Sequence, residues 1–192
     1  MLFKVNSRSL LWTFLQVVLA LCLLQPTLIA PVAAVSSTQP SAPGLSFLYT
    51  AYVECKGNLM EEHGPHGVRK AIPIVGGNFT GPRLSGEIRD LGADWGTIDP
   101  KTNVFSADTR YNLKTHDGAD IFIQTSGPMS PSGQLHLRLI FETGSEEYYW
   151  LNNIVAIGIL TPVERSDDGS VLRIDAWNFA SDWNSTSFVG ST

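Results

Sequence analysis

The residue pair with the clearest chemical potential is Asp94, a carboxylate that is followed directly by the large aromatic ring of Trp95. A carboxyl group buried against an apolar ring keeps its proton to higher pH than in water, because its charged form loses hydration. Such a group can serve as a general acid or base near neutral pH. A solvated loop aspartate is the equally simple alternative, and the sequence leaves both open.

A second set of polar residues alternates with leucines in the segment Leu135–Thr143. This period of two is typical of a strand, and it puts His136, Arg138 and Glu142 on one face. That face points either to solvent or into a wet lumen. In a lumen, Glu142 would be a second candidate acid or base, and Arg138 would stabilise developing negative charge.

Five further side chains are candidates for binding a small ligand, because ligand pockets combine aromatic walls with a few polar groups. Either Tyr111 or Tyr149 would orient the ligand. Packing in the core is the alternative for each tryptophan, because so large a side chain is usually buried. The candidates are Trp95, Tyr111, Tyr149, Trp150 and Asn152.

No metal or cofactor is expected. His63 and His66 form a His-x-x-His pattern, but a metal site needs three or four ligands, and His116 and His136 have no ligand-like spacing. A loop rich in Gly and Pro is the better interpretation. The sequence also has no nucleophile elbow, no dinucleotide-binding fingerprint and no phosphate loop.

The first 34 residues have the order of a secretory signal peptide, with basic residues, the apolar run Leu10–Leu24 and then small residues. The run has 15 residues, whereas a membrane-spanning helix needs about 20; a retained anchor is the alternative. Cleavage predicts a secreted chain and removes Lys4 and Arg8 but no acid, which moves the net charge from −5 to −7. Nucleic-acid binding is therefore disfavoured, and no stable membrane association is expected after cleavage.

Cleavage would also remove Cys22 and leave Cys55 alone, as a small core side chain or, alternatively, as a reactive thiol. Sequons at Asn78 and Asn184 fit glycosylation on a secretory route.

The composition predicts a signal peptide at 1–34, a flexible Ser/Pro-rich arm at 35–44, a β-barrel domain at 45–181 and a loose polar tail at 182–192.

The remaining elements are predicted to be strands, since no capped amphipathic helix of useful length is present. Leu45–Cys55 is rich in aromatic and β-branched residues, and Asp117-Gly118 lies between two such runs as a hairpin signal. Glu61–Gly67 is predicted to be a loop, and Val68–Val75 a short edge segment interrupted by proline. About seven to nine short antiparallel strands predict an all-β sandwich or barrel.

Several short motifs, in this order, resemble the domain of unknown function 3237 family, also called uncharacterised protein family 0311, over about residues 45–180. The resemblance implies a closed antiparallel β-barrel of calycin or lipocalin type with a central cavity. The motifs are Ile72-Pro73-Ile74-Val75-Gly76-Gly77, Gly92-Ala93-Asp94-Trp95, Tyr111-Asn112-Leu113-Lys114-Thr115, Phe141-Glu142-Thr143-Gly144 and Tyr149-Trp150-Leu151-Asn152.

The family implies no general activity, although some fungal members lie among biosynthetic genes for small molecules. We expect a secreted barrel that binds a small, mostly apolar molecule in its lumen and isomerises, cyclises or hydrolyses it. A non-catalytic carrier or scavenger using the same cavity is one alternative. A secreted glycan-binding or host-binding protein that uses Trp183 and Phe188 of the tail is the other.

Overall fold

The computed structural model describes residues 42–180 of the 192-residue chain. The predicted signal peptide at 1–34, nearly all of the arm at 35–44 and the tail at 182–192 lie outside the described residues. No helix within the described part is long and apolar enough to cross a membrane.

The described chain forms ten strands and one short 3₁₀ helix, Tyr149–Asn153. All strand pairs are antiparallel. The strands are β1 (Gly44–Lys56), β2 (Met60–Gly64), β3 (Gly67–Thr80), β4 (Ser85–Asp94), β5 (Thr97–Ile98), β6 (Phe105–Thr115), β7 (Asp120–Pro128), β8 (Leu135–Glu142), β9 (Ala156–Arg165) and β10 (Gly169–Ala180).

Eight of these strands close into a barrel. Neighbours follow the order β1-β10-β9-β8-β7-β6-β4-β3, and β3 then pairs with β1 to complete the circle. β2 extends β3 as an outer hairpin, and the two-residue β5 joins β3 to β6. The predicted all-β, closed antiparallel barrel is therefore confirmed.

Side-chain alternation along the strands separates a packed interior from a solvated outside. In β8 the four leucine and phenylalanine positions are buried, whereas the four positions between them are exposed. His136, Arg138 and Glu142 therefore lie on the outside of the barrel, which decides between the two faces that the sequence left open.

Two segments differ from the sequence-based expectation. β3 is a 14-residue strand inside the sheet, held between β1 and β4, and not a short edge segment. Gly77, with a φ of 127°, allows this, because a Cβ there would collide with the Tyr52 carbonyl of β1. Within Glu61–Gly67, predicted to be a loop, residues up to Gly64 form β2, all of whose side chains are exposed.

One end of the barrel is plugged by the connection between β8 and β9. Its 3₁₀ helix inserts Leu151, which is 1% exposed, into the lumen. The guanidinium of Arg83 lies 3.9 Å from the ring centroid of Trp150, and the Tyr148 hydroxyl donates to both carboxylate oxygens of Asp117 at 3.1 Å. The opposite end, where the β1–β2 and β9–β10 connections lie, is the open one.

We expect Leu151→Ala to lower the free energy of unfolding by about 2–5 kcal/mol, because truncation leaves a cavity in the plug. Val155→Ala, two residues beyond the 3₁₀ helix at a position 66% exposed, is the control, with an expected change within about 0.5 kcal/mol. Urea unfolding followed by tryptophan fluorescence measures both. Equal losses in the two variants would contradict the assignment of Leu151 as the plug.

Candidate functional site

The open half of the lumen contains a cavity of about 310 Å³. Its walls are mostly apolar, and they come from all eight strands of the barrel: β1, β3, β4, β6, β7, β8, β9 and β10. A cavity of this size and lining suits a small molecule whose surface is largely apolar. The apolar wall residues are Val53, Ile72, Ile74, Phe105, Met129, Leu135, Leu160, Pro162, Leu172 and Ile174.

One side of this cavity carries a belt of three polar side chains from adjacent strands. Asp94 of β4 pairs with Thr109 of β6, and Thr109 pairs with Thr125 of β7, so the three inward side chains lie at one level. The two threonine hydroxyls are 2.5 Å apart and hydrogen-bonded to each other. We call these three residues the polar belt.

Among the described residues 42–180, Asp94 is the only carboxylate that lines the cavity. The pKa of Asp94 is raised to about 6, chiefly by burial and to a smaller extent by the nearby carboxylate of Asp108. Backbone N–H groups of Asp108 and Gly96 and the guanidinium of Arg69 act in the opposite direction, and the Asp108 N–H donates to Oδ1 of Asp94 at 2.9 Å. A carboxyl group with this pKa is present in both protonation states near neutral pH.

Tyr111 of β6 lies two residues deeper than Thr109 and also lines the cavity. It faces Gly92 of β4, where an added Cβ would collide with the Tyr111 side chain, so glycine permits this close packing. Tyr111 therefore forms part of the cavity floor, as a buried phenol that can donate a hydrogen bond to a ligand.

Cys55 of β1 also lines the cavity, and it pairs with Ile74 of β3, the strand that lies between β1 and the strand of Asp94. Burial, together with the charge of Asp94, raises the pKa of the Cys55 thiol to about 12. The thiol is therefore protonated at neutral pH, which agrees with the interpretation of Cys55 as a small core side chain and leaves little reactive thiolate.

The mouth of the cavity is polar and exposed. It contains the cationic side chains of Lys56 and Arg165, neither of which forms an ion pair with another described residue. Backbone and small polar groups from the two connections complete the rim: Gly57, Asn58, Ser166, Gly169 and Ser170.

Trp95 does not share the cavity with Asp94. Asp94, the last residue of β4, lines the cavity, whereas Trp95 follows the strand and is 39% exposed. The raised pKa of Asp94 thus arises from burial in the lumen, and the adjacent ring is not among the lining residues.

The other predicted site residues lie away from this cavity. Arg138 is on the outer face of β8. Trp150 packs against Arg83 at the plugged end. Glu142, Tyr149 and Asn152 lie together in a polar depression on the outside, and Asn152 accepts from the Thr143 N–H and donates to its carbonyl, both at 2.9 Å. Of the predicted set, only Asp94 and Tyr111 are among the described residues that line the cavity.

Sequence reasoning missed Thr109 and Thr125, the other two members of the polar belt. Their only sequence signal is that each occupies an inward position of an alternating strand. Their importance follows from the register that aligns them with Asp94, and register between strands is not visible in a single sequence.

Three other sequence features have defined places in the structure. Asn78, of the first sequon, lies within β3 with an exposed side chain, and not in a turn. Asn184 lies outside the described residues. His63 and His66 are exposed, and the described part of the chain contains no group of three or more potential metal ligands.

These features define a class: a closed antiparallel β-barrel, plugged at one end, with a mostly apolar cavity at the other, in which Asp94 is the one carboxylate among the described lining residues. Within this class, the chain belongs to the family described as "Protein of unknown function (DUF3237)", whose model matches residues 43–178. The family membership expected from the motifs is confirmed.

Three similar proteins agree with this assignment. A protein named hydroalkoxylation enzyme phnH, from Penicillium herquei, is 26% identical over 121 residues, which are 63% of this chain and 76% of that protein. The crystal structure of a β-barrel like protein from Acinetobacter baumannii is 31% identical, with a TM-score of 0.62 over 74% of this chain and 99% of that one. An enzyme from Penicillium herquei is 25% identical, with a TM-score of 0.60 over 74% and 98%. The fold and these relatives are compatible with small-molecule binding or catalysis.

The raised pKa of Asp94 predicts a pH-dependent loss of stability. Protonated Asp94 makes its full contribution to the free energy of unfolding below pH 3.8, the ordinary pKa of aspartate. This contribution is lost as the pH rises through about 6, the pKa of Asp94 in the folded protein. Asp94→Asn removes this loss. We therefore expect the variant to gain about 1–3 kcal/mol relative to wild type between pH 4 and pH 7.

Urea unfolding of both proteins at pH 4, 5, 6 and 7 measures this difference. Asp90→Asn, which replaces an exposed carboxylate on the same strand, is the matched control. A difference between Asp94→Asn and wild type that is the same at pH 4 and pH 7 would contradict the burial of an ionised Asp94.

Proposed function

We propose that this protein binds a small, mostly apolar molecule in the open half of its barrel and converts it by proton transfer through Asp94. The observation that carries the proposal is the half-buried carboxylate of Asp94, with a pKa of about 6, which is the one carboxylate among the described residues that line a mostly apolar cavity. Such a group can accept a proton from one substrate atom and return it to another without a cofactor.

The reaction class that we propose is the addition of an O–H group across a C=C bond within one molecule, which cyclises it. The similarity to a protein named hydroalkoxylation enzyme supports this choice. In the addition, the oxygen–carbon bond forms, the π bond breaks, the hydroxyl loses its proton and the other carbon gains one. The molecular formula does not change, so one acid–base group and a well-oriented substrate suffice.

The polar belt and Tyr111 on the cavity floor orient the substrate. Asp94 in its carboxylate form takes the hydroxyl proton and then, as the acid, delivers it to carbon. The hydroxyls of Thr109 and Thr125 bond to each other, which leaves at most one hydroxyl proton for a substrate oxygen, while Tyr111 contacts the inner end of the substrate. The apolar opposite wall excludes water, which strengthens these polar interactions.

Catalysis can be tested with 2′-hydroxychalcone, whose phenol adds across a conjugated C=C bond to form flavanone. In D₂O we expect the wild-type protein to give flavanone with one deuterium at the carbon α to the carbonyl, measured by mass spectrometry. Asp94→Asn should lower kcat/KM at least about 100-fold, as expected for loss of a general acid–base group, and the wild-type kcat/KM should fall as pH decreases through about 6.

Glu142→Gln is the informative comparison, because Glu142 is a carboxylate on the outside of the barrel. We expect it to keep wild-type turnover. Loss of turnover in Glu142→Gln but not in Asp94→Asn would assign the acid–base role to Glu142, in the depression outside the barrel. Binding without turnover in wild type would favour the carrier function over the enzyme.

We further propose that the protein is secreted and carries a glycan at Asn78. The sequence of residues 1–34 supports a cleaved signal peptide, and the exposed side chain of Asn78 leaves its amide open to the outside. Unlike the enzyme proposal, this one does not depend on the cavity.

Expression of the full chain in a eukaryotic host tests secretion. We expect the protein in the medium, with a polypeptide mass that begins after Ala34, and an added glycan mass that Asn78→Gln removes in part or in full. Retention of the intact chain in the membrane fraction would indicate the anchor alternative. Thr50→Val, outside both sequons, serves as the control for changes in mass.

A further inference from the structure

A β-bulge in β9 turns one arginine toward the mouth of the cavity. Leu160 and Pro162 line the cavity from alternate positions of β9, so an unbroken alternation would place Glu164 next on the inner face. The pairing of β9 with β10 instead skips Val163, because Pro162 and Glu164 oppose neighbouring residues of β10. A bulge of this kind changes the direction of the side chains beyond it. Arg165 therefore takes the inner face, and it lines the cavity whereas Glu164 does not.

The register places Arg165 beside small neutral residues. Arg165 pairs with Ser170 of β10, and Ser170 pairs with Cys55 of β1. Paired residues of antiparallel strands share a face of the sheet, and all three residues line the cavity. The strands next to Arg165 thus offer its guanidinium no carboxylate at this level, and Arg165 forms no ion pair within residues 42–180.

A second cation lies on the other side of β10. Lys56, the last residue of β1, pairs with Gly169, which precedes Ser170. Because adjacent strands are about 4.8 Å apart, the backbones of Lys56 and Arg165 are about 10 Å apart across β10. Only a glycine and a serine of β10 separate them, and these small residues leave room for an anion that both long side chains contact. The Ser170 hydroxyl is a further hydrogen-bond donor at this place.

The carboxylates that are near these cations in sequence do not line the mouth. Glu164 is exposed, and Asp167 and Asp168 are exposed in the β9–β10 connection. The described lining of the cavity therefore has two cations at the mouth and one carboxylate, that of Asp94, in the polar belt. The whole chain has a net charge of −5, so a general excess of basic residues does not explain the two cations.

This distribution of charge orients a bound acid in one direction. The pKa of Asp94 is about 6, so Asp94 is ionised at pH 8 and repels an anion placed at the polar belt. Arg165 and Lys56 attract the same anion at the mouth, and the apolar wall residues suit an apolar body. An amphipathic acid is therefore held with its carboxylate at the mouth and its other end toward Asp94.

We infer that Arg165 and Lys56 form an anion subsite at the mouth of the cavity, and that the substrate is an apolar molecule with a carboxylate at the end away from its reacting groups. The planar guanidinium of an arginine can donate two parallel hydrogen bonds to a carboxylate, and Lys56 adds a second positive charge. This inference rests on the proposed function, because it concerns the same cavity and narrows its substrate class to carboxylic acids.

Binding alone tests the subsite, with 2-naphthoate as the anionic probe and 2-naphthamide as a neutral probe of nearly the same shape. NMR titration of the full chain at pH 8 gives the dissociation constants of both. We expect wild type to prefer naphthoate, and Arg165→Gln to lower the ratio of naphthoate affinity to naphthamide affinity about fivefold to tenfold, as for hydrogen bonds between charged groups at an exposed site. Adding Lys56→Gln should lower the ratio further, and a higher salt concentration should lower the wild-type ratio.

Arg138→Gln is the matched control, because Arg138 is an exposed arginine on the outer face of β8 and also forms no ion pair with a described residue. It removes the same charge and should leave the affinity ratio unchanged. The urea midpoints of all variants should stay close to that of wild type, because the substituted side chains are exposed.

Two results would contradict the inference, and they differ in what else they contradict. A ratio in the double variant Lys56→Gln, Arg165→Gln within twofold of wild type overturns the anion subsite and leaves binding of the neutral probe in the cavity intact. If wild type binds neither probe, the proposed cavity function fails and the subsite with it.

Discussion

The pairing of β1 with two partners at once is the constraint on which the rest of the structure depends. β1 bonds to β10 along its whole length and to β3 from Thr50 to Cys55, and this turns a sheet into a barrel. Closure gives every strand an inner and an outer face. Because side chains alternate between these faces, a residue's place along its strand decides whether its side chain points into the lumen or into solvent. Asp94 is a raised-pKa carboxylate only because closure removes its face of β4 from water.

The same constraint explains how much of the site could be predicted. The alternation in β8 was visible in the sequence, and it correctly grouped Arg138 with Glu142, but a barrel can have a dry or a wet lumen, so the side could not be assigned. Adjacency in the sequence suggests that the ring of Trp95 packs against the carboxyl group of Asp94. In the structure the ring is partly exposed and does not line the cavity that contains Asp94. The closed antiparallel fold itself was predictable from strand signals and family motifs, because these depend on local composition and order.

What could not be predicted depends on contacts between distant strands. Thr109 and Thr125 join Asp94 through the register of β4, β6 and β7, which a single sequence does not show. The motif containing Tyr149 and Trp150 is recognisable in the sequence. Only the structure shows that it lies in the connection after β8 and that this connection closes one end of the barrel. The site residues are therefore hard to recognise individually in the sequence. Their chemical role depends on their side chains lying at the same level of the barrel interior.

Barrel closure also has a consequence for how the protein is made. The hydrogen bond from the Thr50 hydroxyl to Asp175 joins residues 125 positions apart, and β1 leaves the ribosome long before its partner β10 is synthesised. The barrel cannot close until β10 has been synthesised, so the nascent chain presents an open sheet whose first strand lacks its final neighbour. Contacts this distant in sequence slow folding, which gives chaperones and competing β-pairing the longest opportunity to act on this chain.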